Sequence, residues 1–566
     1  MKKCVTALLA ALMLTGCSSK NVPQITVPET TSPAVETAPA VITEVPEILY
    51  ESRFDAVTEI LLSDEGIAVN GGSETEAVFT SQDIIYYEDR DTYASGNPYV
   101  EGEDWERHSA DEAAAHTVVN ITAPGAYRIS GKLSAGQIRV DLGSAAYYEE
   151  DAVVELILSD ADITCTVAPA ILFLNTYECD GNWSIDTARA EMDTSAAGAN
   201  LILEGSSKVT GSHVAKIFRD KEEEKKLWKQ DGAIYSYMSM NVFGPGSLEL
   251  TADNEGLDTE LHLALNGGDV SIYSDNDGIN TNEDGVSVTT INAGNLTIFA
   301  GLGAEGDGID SNGYLVINGG TVVSSAKPMA DAGLDSDMGS YINGGTVIAM
   351  GSTMDWAESD SHQVTMNLQF TGQQKAGSNI RITREDGTEI FSFDTDSSYA
   401  RGFSGLILSH PSFTQGDTYH VYVDGQQMAY TGTDVGFGPG GMGRPEGMPF
   451  QEGEMPEGME MPEDFDPSQF FGGEMPEGFD PSQMGGRGQR PEGDRENMTP
   501  PEGFGRERPE GMEMPEDFDP SQFQGGEMPE GFVPGQFGGQ NEQTVELQTG
   551  FYMADKVNAF SGVKAV

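Results

Sequence analysis

Basic residues are scarce in this sequence of 566 residues: 30 lysines and arginines stand against 92 aspartates and glutamates, giving a formal net charge of −62. Such an excess of negative charge repels polyanions, so the composition excludes nucleic acid as a partner and favours cations. The shortage is greatest between residues 244 and 351, which contain one lysine, Lys327, and no arginine. Basic side chains of that stretch therefore cannot neutralise its many aspartates.

The first residues, MKKCVTALLAALMLTGCSS, hold an apolar run that is too short to span a bilayer as a mature helix. Two lysines precede the run, as in an export signal. The run ends in Leu-Thr-Gly followed by Cys17, which resembles the lipobox of bacterial lipoproteins. That resemblance implies cleavage before Cys17, lipidation of its thiol, and an extracytoplasmic protein held in the cell envelope by its lipid. An ordinary secretory signal is the alternative.

Cysteine is rare, with four copies in the whole chain. Cys4 would leave with the signal and Cys17 would carry lipid, so two thiols remain in the exported protein. These are Cys165 and Cys179, which are 14 residues apart. In an exported protein they could form a disulfide, or they could stay free thiols.

No apolar segment of the repeats has a 3.6-residue period, which excludes a helical solenoid. Instead, an Asn-[Gly/Ala]-Gly motif recurs at steps of 26, 26 and 25 residues, beginning at Asn266, Asn292, Asn318 and Asn343. A short β-type run follows each copy, and a Gly-[Leu/Ile]-[Asp/Asn]-[Ser/Thr] element recurs in phase with it. A fixed period with about three short strands predicts an all-β fold, a parallel β-helix with rungs of about 25 residues.

Within each rung, residues two apart on a strand share one face. One predicted inward column is Leu248, Val270, Leu296, Val322 and Val347, and a second is Leu250, Ile272, Ile298, Ser324 and Ala349. The four asparagines tolerate turn geometry and can pass hydrogen bonds from amide to amide. We therefore interpret them as a structural ladder.

Acidic side chains collect in the turns of the same repeats. Stacked strands lie roughly 4.8 Å apart, so like charges on neighbouring rungs repel by about 1 kcal/mol per pair in water and about 3 to 4 kcal/mol at an effective dielectric of 20. Carboxylate and amide oxygens without histidine or cysteine suit Ca²⁺. The sequence predicts calcium ligands at Asp258, Asp277, Asn280, Asp307, Asp310 and Asp335. Solvated turn aspartates are the alternative.

The composition divides the chain into six segments. We predict a lipoprotein signal peptide (1–16), a Pro/Thr-rich tether (17–49), the β-helix (50–352), a small β-sandwich or cap (353–435), disordered acidic Met/Pro/Glu/Gly-rich repeats (436–541) and a C-terminal strand segment (542–566). The cap would cover the open end of the solenoid. One charge-rich interruption, residues 214–230, predicts an exposed helix or loop between rungs.

The stretch from Val118 to Gly432 resembles a family of exported bacterial carbohydrate-binding proteins. The resemblance is carried by PGAYRISGKLSAGQIRVDL, DGAIYSYMSMNVFGPGSLELTADNEGLD, DGINTNEDG, GDGIDSNGYLVINGGTV and SGLILSHPSFTQGDTYHVYVDG. It implies a right-handed, pectate-lyase-like parallel β-helix with bound calcium. It also implies binding of cellulose or pectin-like chains without established catalysis.

Three function classes compete at this point. A monomeric, surface-anchored polysaccharide-binding protein is the first, with Tyr273 and Phe299 either stacking on sugar rings or packing on each other. A lyase or glycosidase is the second. A calcium-dependent lyase generally needs a strong base beside the metal turns, which the repeats lack unless the loop near Arg219 or Lys221 folds over them. A calcium-stiffened structural adhesin is the third.

Overall fold

A computed structural model describes residues 48, 50–87, 99–101, 107–218, 228–328, 331–352, 355–395, 402–433 and 547–566. The predicted signal peptide, Cys17 and the acidic repeats lie outside these residues. The chain divides into two compact units, Met1–Met442 with Glu546–Val566, and Gly443–Val545. All described residues belong to the first unit. None of its described helices is long and apolar enough to cross a membrane.

The described chain is almost entirely β, which confirms the predicted all-β class. Within it, helix is limited to α1 (Ala110–Ala113) and two 3-10 helices, Ser144–Tyr148 and Ile185–Thr187. The first strands are β1 Val57–Ser63, β2 Gly66–Val69, β3 Val78–Ser81, β4 Tyr99–Glu101, β5 Thr117–Ile121, β6 Gly125–Leu133, β7 Gly136–Asp141, β8 Val154–Thr164, β9 Ile171–Asn175, β10 Ala199–Glu204, β11 Ser206–Gly211, β12 Val214–Phe218 and β13 Trp228–Gln230. The repeats supply β14 Gly232–Ser236, β15 Met240–Phe243, β16 Ser247–Ala252, β17 Glu255–Thr259, β18 Leu263–Ser274, β19 Ile279–Thr281, β20 Val288–Phe299, β21 Ile309–Ser311, β22 Tyr314–Ile317, β23 Thr321–Ser325, β24 Asp335–Ser336, β25 Gly339–Ile342 and β26 Thr346–Gly351. The last strands are β27 Thr365–Gln374, β28 Asn379–Arg384, β29 Glu389–Asp394, β30 Phe403–Ser409, β31 Thr418–Val423, β32 Gln426–Ala429, β33 Phe551–Tyr552 and β34 Val557–Ala565.

Each repeat places one short strand in a nine-stranded sheet, here called the small sheet, whose order is β24-β21-β19-β17-β14-β9-β7-β5-β3. All neighbours in it are parallel except the pair β3 and β5. The rest of each repeat pairs in parallel with its counterparts in a larger sheet, as two strands in some repeats and as one long strand, β18 or β20, in others. We call one such passage of the chain a coil.

The interior is formed by the two predicted apolar columns. Leu248, Val270, Leu296, Val322 and Val347 are register partners from strand to strand, and so are Leu250, Ile272, Ile298, Ser324 and Ala349. All of them are buried. Ser324 fits this apolar column because its hydroxyl donates to the carbonyl of Gly333 at 2.7 Å.

At the corner within the larger-sheet part of each coil, the asparagine side chains form a continuous amide ladder. Asn292 Nδ2 donates to Asn266 Oδ1 at 2.8 Å, Asn318 donates to Asn292 at 2.9 Å, and Asn343 donates to Asn318 at 3.0 Å. The second glycine of each motif has a positive φ, for example +90° at Gly268, which a residue with a side chain rarely adopts. The backbone geometry of this corner and the amide ladder therefore explain why the Asn-[Gly/Ala]-Gly motif recurs.

The last coil is covered by a C-terminal domain. Strand β26 pairs antiparallel with β30, and β27 pairs in parallel with β34, which belongs to the final segment of the chain. This domain has its own apolar core, to which Phe403, Phe551 and Phe560 contribute. The edge of the larger sheet is therefore paired at β26.

The prediction for residues 214–230 is wrong in part. Both ends of the stretch are strands, β12 and β13, which pair with each other, and β12 also pairs with β4. Residues 214–218, VAKIF, contain β-branched and aromatic residues, which favour a strand. Residues 219–227, including Arg219 and Lys221, lie outside the described residues.

Candidate functional site

The outer face of the small sheet carries a line of acidic side chains. Leu257, Ile279 and Ile309 point from this sheet into the core. Their neighbours point the other way because side chains alternate along a strand. The register joins Tyr235, Asp258, Asn280, Asp310 and Asp335 in one column, as predicted for its last four members.

A second acidic column begins at the acid–glycine pairs that open these strands. Glu255, Asp277 and Asp307 each precede a glycine whose N–H donates to the next coil, at 2.9 Å from Gly256 and 3.0 Å from Gly278. A Cβ on Gly256 would lie 2.5 Å from the Gly278 carbonyl oxygen. Close stacking thus requires glycine here and brings the acids of successive coils together. We call the two columns, with Asp231 and Asp355, the acidic stripe.

The stripe is tightest at its first end. Carboxylate oxygens of Asp231, Glu255 and Asp258 all lie within 4.8 Å of one another. Asp258 has no exposed surface and Glu255 exposes 5%. One oxygen of Asp258 accepts from Asn282 Nδ2 at 2.5 Å. We call this group of three closely packed carboxylates the cage.

Several buried oxygens of the stripe have no hydrogen-bond donor among the described residues. They are Glu255 Oε2, Asp258 Oδ2, Asn280 Oδ1 and Asn282 Oδ1. A buried acceptor without a donor costs roughly 1 to 3 kcal/mol, and more if it is charged. A hard cation bound by oxygen ligands removes that cost, because each of these atoms can coordinate it. The donor set therefore fits such a cation.

Burial acts on the protonation of the same groups. It raises the pKa of Asp258 and of Asp277 well above the usual range, and neighbouring carboxylates such as Glu255 add to the effect. Burial likewise raises the pKa of Asp307 to about 8 and that of Asp310 to about 7. Without a cation, these groups hold protons that free aspartates would release.

A lysine from outside the repeats reaches this cage. Lys229 Nζ lies 2.8 Å from Asp231 Oδ2, and its side chain is 21% exposed. Burial lowers the pKa of Lys229, but the charges of Glu255, Asp258 and Asp231 outweigh it and raise the pKa above its usual value. Carboxyl groups therefore outnumber the ammonium three to one in the cage. A cation bound here would displace the proton that burial holds on Asp258.

All six predicted metal ligands lie in the stripe. Asp258, Asn280, Asp310 and Asp335 are register partners, and Asp277 accepts a hydrogen bond from Asp307 N at 2.7 Å. Residues that sequence reasoning left out of the ligand set are Asp231, Glu255, Asp355 and Lys229. Asp231–Gly232 is an earlier copy of the acid–glycine pair, so this signal was present in the sequence. Asp355 meets the other end of the stripe, where Ser336 N–H donates to both Asp335 and Asp355. No periodic signal marks Asp355 or Lys229.

The predicted sugar-contact pair lies on adjacent strands of the larger sheet. Tyr273 and Phe299 are register partners whose rings stack at a centroid distance of 5.4 Å and an angle of 14°. Phe299 exposes 6% of its surface, and Tyr273 is half-buried. The rings pack on each other, so the area left for a sugar belongs to Tyr273.

The two remaining cysteines are free thiols, so the disulfide that their spacing allowed is not formed. Cys165 is fully buried in the core, whereas Cys179 is half-buried in a loop. Their locations are separate because Cys165 follows the larger-sheet strand β8 and Cys179 comes after the small-sheet strand β9. Burial raises the pKa of both thiols to about 12, which keeps them protonated and unreactive.

That loop, residues 176–198, lies across the turns that follow the small-sheet strands, and we call it the strap. Glu178 accepts hydrogen bonds from Ser239 N at 2.6 Å and from Ser239 Oγ at 2.8 Å. Asp180 Oδ2 lies 3.3 Å from His262 Nε2, one coil further on. Ile185 packs beside Gly285 in the coil after that. The strap therefore contacts three successive coils.

Comparison with known proteins gives two matches. Residues 115–388, just under half of the chain, match the family model described as "Carbohydrate-binding domain-containing protein". A solved structure of the polysaccharide lyase-like protein from C. thermocellum, a gadolinium derivative, is similar at 19% identity and a TM-score of 0.30. It covers 51% of this chain and 93% of that chain. No curated protein was found to match the chain.

Proposed function

We propose that this chain is a cell-surface lipoprotein that binds polysaccharide through a calcium-stabilised, right-handed parallel β-helix. Cys17 carries the lipid that holds it in the cell envelope, and the protein acts as a monomer without catalysis. The main support is the match of residues 115–388 to a carbohydrate-binding family, which spans the coils that carry the acidic stripe. The ligands in view are cellulose and pectin-like chains.

Calcium is the proposed ion because the donors of the stripe are oxygens of carboxylates and amides. Asp258 and Glu255 would hold it at the closed end, with Asp231 beside them. Asn280 offers an amide oxygen, and Asp277, Asp307, Asp310 and Asp335 continue the donor set towards the more open end. The single observation that carries this step is the set of buried oxygens without hydrogen-bond donors.

A stripe of this kind has two roles in the proposed function. Bound calcium would offset the repulsion between stacked carboxylates and so stabilise the coils. Where the stripe is half-buried, at Asp307, Asp310 and Asp335, an ion could also accept a carboxylate from an acidic sugar. Calcium would then link the acidic protein surface to an acidic polysaccharide, which that surface would otherwise repel.

The test is affinity electrophoresis of the full chain through gels containing polygalacturonate, a soluble cellulose derivative or xylan, with calcium and then with EDTA. Retardation by at least one glycan is expected, and EDTA should abolish retardation by polygalacturonate. Calorimetric titration with Ca²⁺ should show binding that weakens in Asp258→Asn. Asp269→Asn, an exposed acid on β18, serves as the matched control and should bind calcium as wild type does. Absence of retardation by every glycan would refute the proposed function.

Lys229 supports a second candidate, a β-elimination lyase. The amine that the sequence of the repeats lacks is supplied by β13, next to the proposed metal ligands. As a base it would have to lose its proton and take the one next to a uronate carboxylate. The surrounding carboxylates oppose this because they raise its pKa. Binding therefore stays the first candidate.

The lyase candidate is tested by incubating purified protein with polygalacturonate and calcium and following the absorbance of unsaturated products. A steady rise that Lys229→Met eliminates would establish catalysis. The expected result is no product.

A further inference from the structure

Exposed aromatic side chains of the coils are concentrated in one place. Among the described residues, the large aromatic residues that are exposed are Tyr148, Trp183 and Tyr552, by 81%, 42% and 52%. Tyr552 lies in the C-terminal domain. Tyr148 and Trp183 lie near each other, on the 3-10 helix after β7 and on the strap. With Tyr147, which joins them, they form what we call the aromatic patch.

The patch is held in place by specific contacts. Trp183 Nε1 donates to Tyr147 Oη at 2.8 Å. The Tyr147 and Tyr148 rings meet edge to face at a centroid distance of 4.8 Å. Tyr147 in turn packs against a buried cluster that includes Leu172 and Tyr235 of the small sheet. These contacts fix the rings before any ligand arrives, which lowers the entropy cost of binding.

The strap adds further rigidity around Trp183. Asn182 Oδ1 accepts from Ser184 N at 3.2 Å and from Thr187 Oγ1 at 2.7 Å. The Glu178 and Asp180 contacts to Ser239 and His262 attach the strap on one side of the patch. Exposed aromatic rings on a fixed scaffold are typical of a binding surface rather than of a mobile loop.

The charges around the patch favour a neutral ligand over an anionic one. Exposed acids surround it on both segments, namely Glu149, Glu150 and Asp151 after Tyr148, and Asp186 near Trp183. Arg189 is the basic residue of the strap. A uronate chain would be repelled by this rim, because no unpartnered stripe oxygens lie here to bind a neutralising ion. A neutral sugar meets no such penalty.

We infer that the aromatic patch is a binding site for neutral polysaccharide, with Trp183 and Tyr148 stacking on the apolar faces of pyranose rings. This inference rests on the proposed function and names a second site for it. Uncharged β-linked glucan is the ligand class, because its rings present flat C–H faces and no charge. The acidic stripe with its ion is then the separate site for uronates.

The two sites lie along one face. Tyr147 packs against the cluster that contains the register partners Leu172 and Tyr235. Tyr235 is also the register partner of Asp258 at the first end of the stripe. Neighbouring strands are separated by about 4.8 Å. The outer face of the small sheet therefore changes from aromatic to acidic within a few strands, and one wall fragment could contact both sites.

The experiment is affinity electrophoresis of the full chain, with calcium present, against hydroxyethylcellulose as the neutral glucan and polygalacturonate as the anionic one. Trp183→Ala and Tyr148→Ala should each weaken hydroxyethylcellulose binding by about tenfold or more, as expected for an aromatic anchor. Polygalacturonate binding should not change. Trp183→Phe keeps a ring and should retain part of the affinity. Tyr552→Ala removes an equally exposed ring elsewhere and should bind as wild type does.

Thermal unfolding of each variant shows whether weaker binding comes from a lost sugar contact or from a damaged fold. The inference is judged on the variants whose unfolding midpoint equals that of wild type. Wild-type binding to hydroxyethylcellulose that survives both alanine substitutions would overturn the inference. So would wild-type binding to polygalacturonate alone, in which case the proposed function would stand without this second site. Failure of the wild-type chain to bind any glycan would overturn the proposed function and this inference together.

Discussion

Lys229 is the residue on which the charge balance of the acidic stripe depends most directly. It lies beside Asp231 and within the field of Glu255 and Asp258. An ammonium and a divalent cation are alternative ways of compensating the same carboxylates. Removing one compensating charge from buried partners usually costs more than the pair contributes, because the remaining charges stay buried.

We predict that Lys229→Met lowers the free energy of unfolding by about 3 kcal/mol in EDTA, since the cage then holds its carboxylates uncompensated. Calcium should restore a large part of that loss. Urea unfolding in EDTA and in calcium measures both quantities. Lys208→Met is the matched control, because Lys208 pairs with Glu249 at 2.7 Å on an exposed surface and should leave stability nearly unchanged. Equal stability of Lys229→Met and wild type in EDTA would contradict the cage as described.

Glu178 gives a second prediction at this scale, based on pH. Burial raises its pKa above the ordinary value despite hydrogen bonds from Ser239 and Asp180. A raised folded-state pKa means that the fold favours the protonated carboxyl. The contribution of Glu178 to stability is therefore present below its unfolded pKa and is lost as pH rises through the folded pKa.

The expected result is that Glu178→Gln gains stability relative to wild type as pH rises from about 4 towards 8, because glutamine has no proton to lose. The difference between the two unfolding free energies isolates Glu178 from other titrating groups. Glu191→Gln, at an exposed acid of the strap, is the control for the loss of a carboxylate as such. A difference between Glu178→Gln and wild type that does not change with pH would show that burial does not shift the pKa of Glu178.

At the scale of elements, the coil is defined by two corners with different requirements. The Asn-Gly-Gly corner needs glycine for its positive φ and asparagine for the ladder. The acid–glycine corner needs glycine because the next coil approaches too closely for a Cβ. Stacking therefore depends on a few backbone positions as well as on the apolar columns.

We predict that Asn292→Ala destabilises the protein by about 1 to 2 kcal/mol, because it breaks two amide hydrogen bonds in the middle of the ladder. Asn295→Ala on the same strand is the control, since Asn295 is exposed, and it should cost less than about 0.5 kcal/mol. Thermal or urea unfolding provides the comparison. If the ladder contributed nothing to stability, the two variants would have the same free energy of unfolding.

The features that repeat with the period of the coils could be predicted from the sequence. The apolar columns, the asparagine ladder and the column of Asp258, Asn280, Asp310 and Asp335 are of this kind, because stacked strands convert a sequence period into spatial contact. Lys229 could not be predicted this way, since a non-local pairing of β12, β13 and β4 brings it to the stripe. Trp183 lies on the strap, whose contacts across three coils follow no period.

At the scale of the whole first unit, the C-terminal domain is completed by two distant parts of the chain. Tyr430 and Gln548 exchange backbone hydrogen bonds at 2.9 and 3.1 Å, so the chain leaves the domain and returns to it at nearly the same point. Strand β34 then pairs with both β27 and β32. Residues 434–546 are in this sense an insertion between two neighbouring backbone segments.

Replacing residues 434–546 by a short glycine–serine linker should leave the first unit folded, with a free energy of unfolding equal to wild type or higher by up to about 2 kcal/mol. A shorter loop loses less entropy when its ends are held together. Urea unfolding followed by tryptophan fluorescence is the measurement. Truncation after residue 433 is the informative contrast, because it also removes Phe551 and Phe560 from the core and should unfold the C-terminal domain. Unfolding of the linker variant would contradict this reasoning.

The pairing of β34 with β27 also determines the order in which the protein can fold during synthesis. Each coil can stack on the one before it as soon as it emerges, because its partners precede it in the chain. The C-terminal domain has no such freedom, since its core includes Phe560 and Val563, which follow the coils only after a long stretch of chain. Completion of the fold therefore waits until β34 has been made, and a chain stalled before β30 would leave the edge of β26 unpaired.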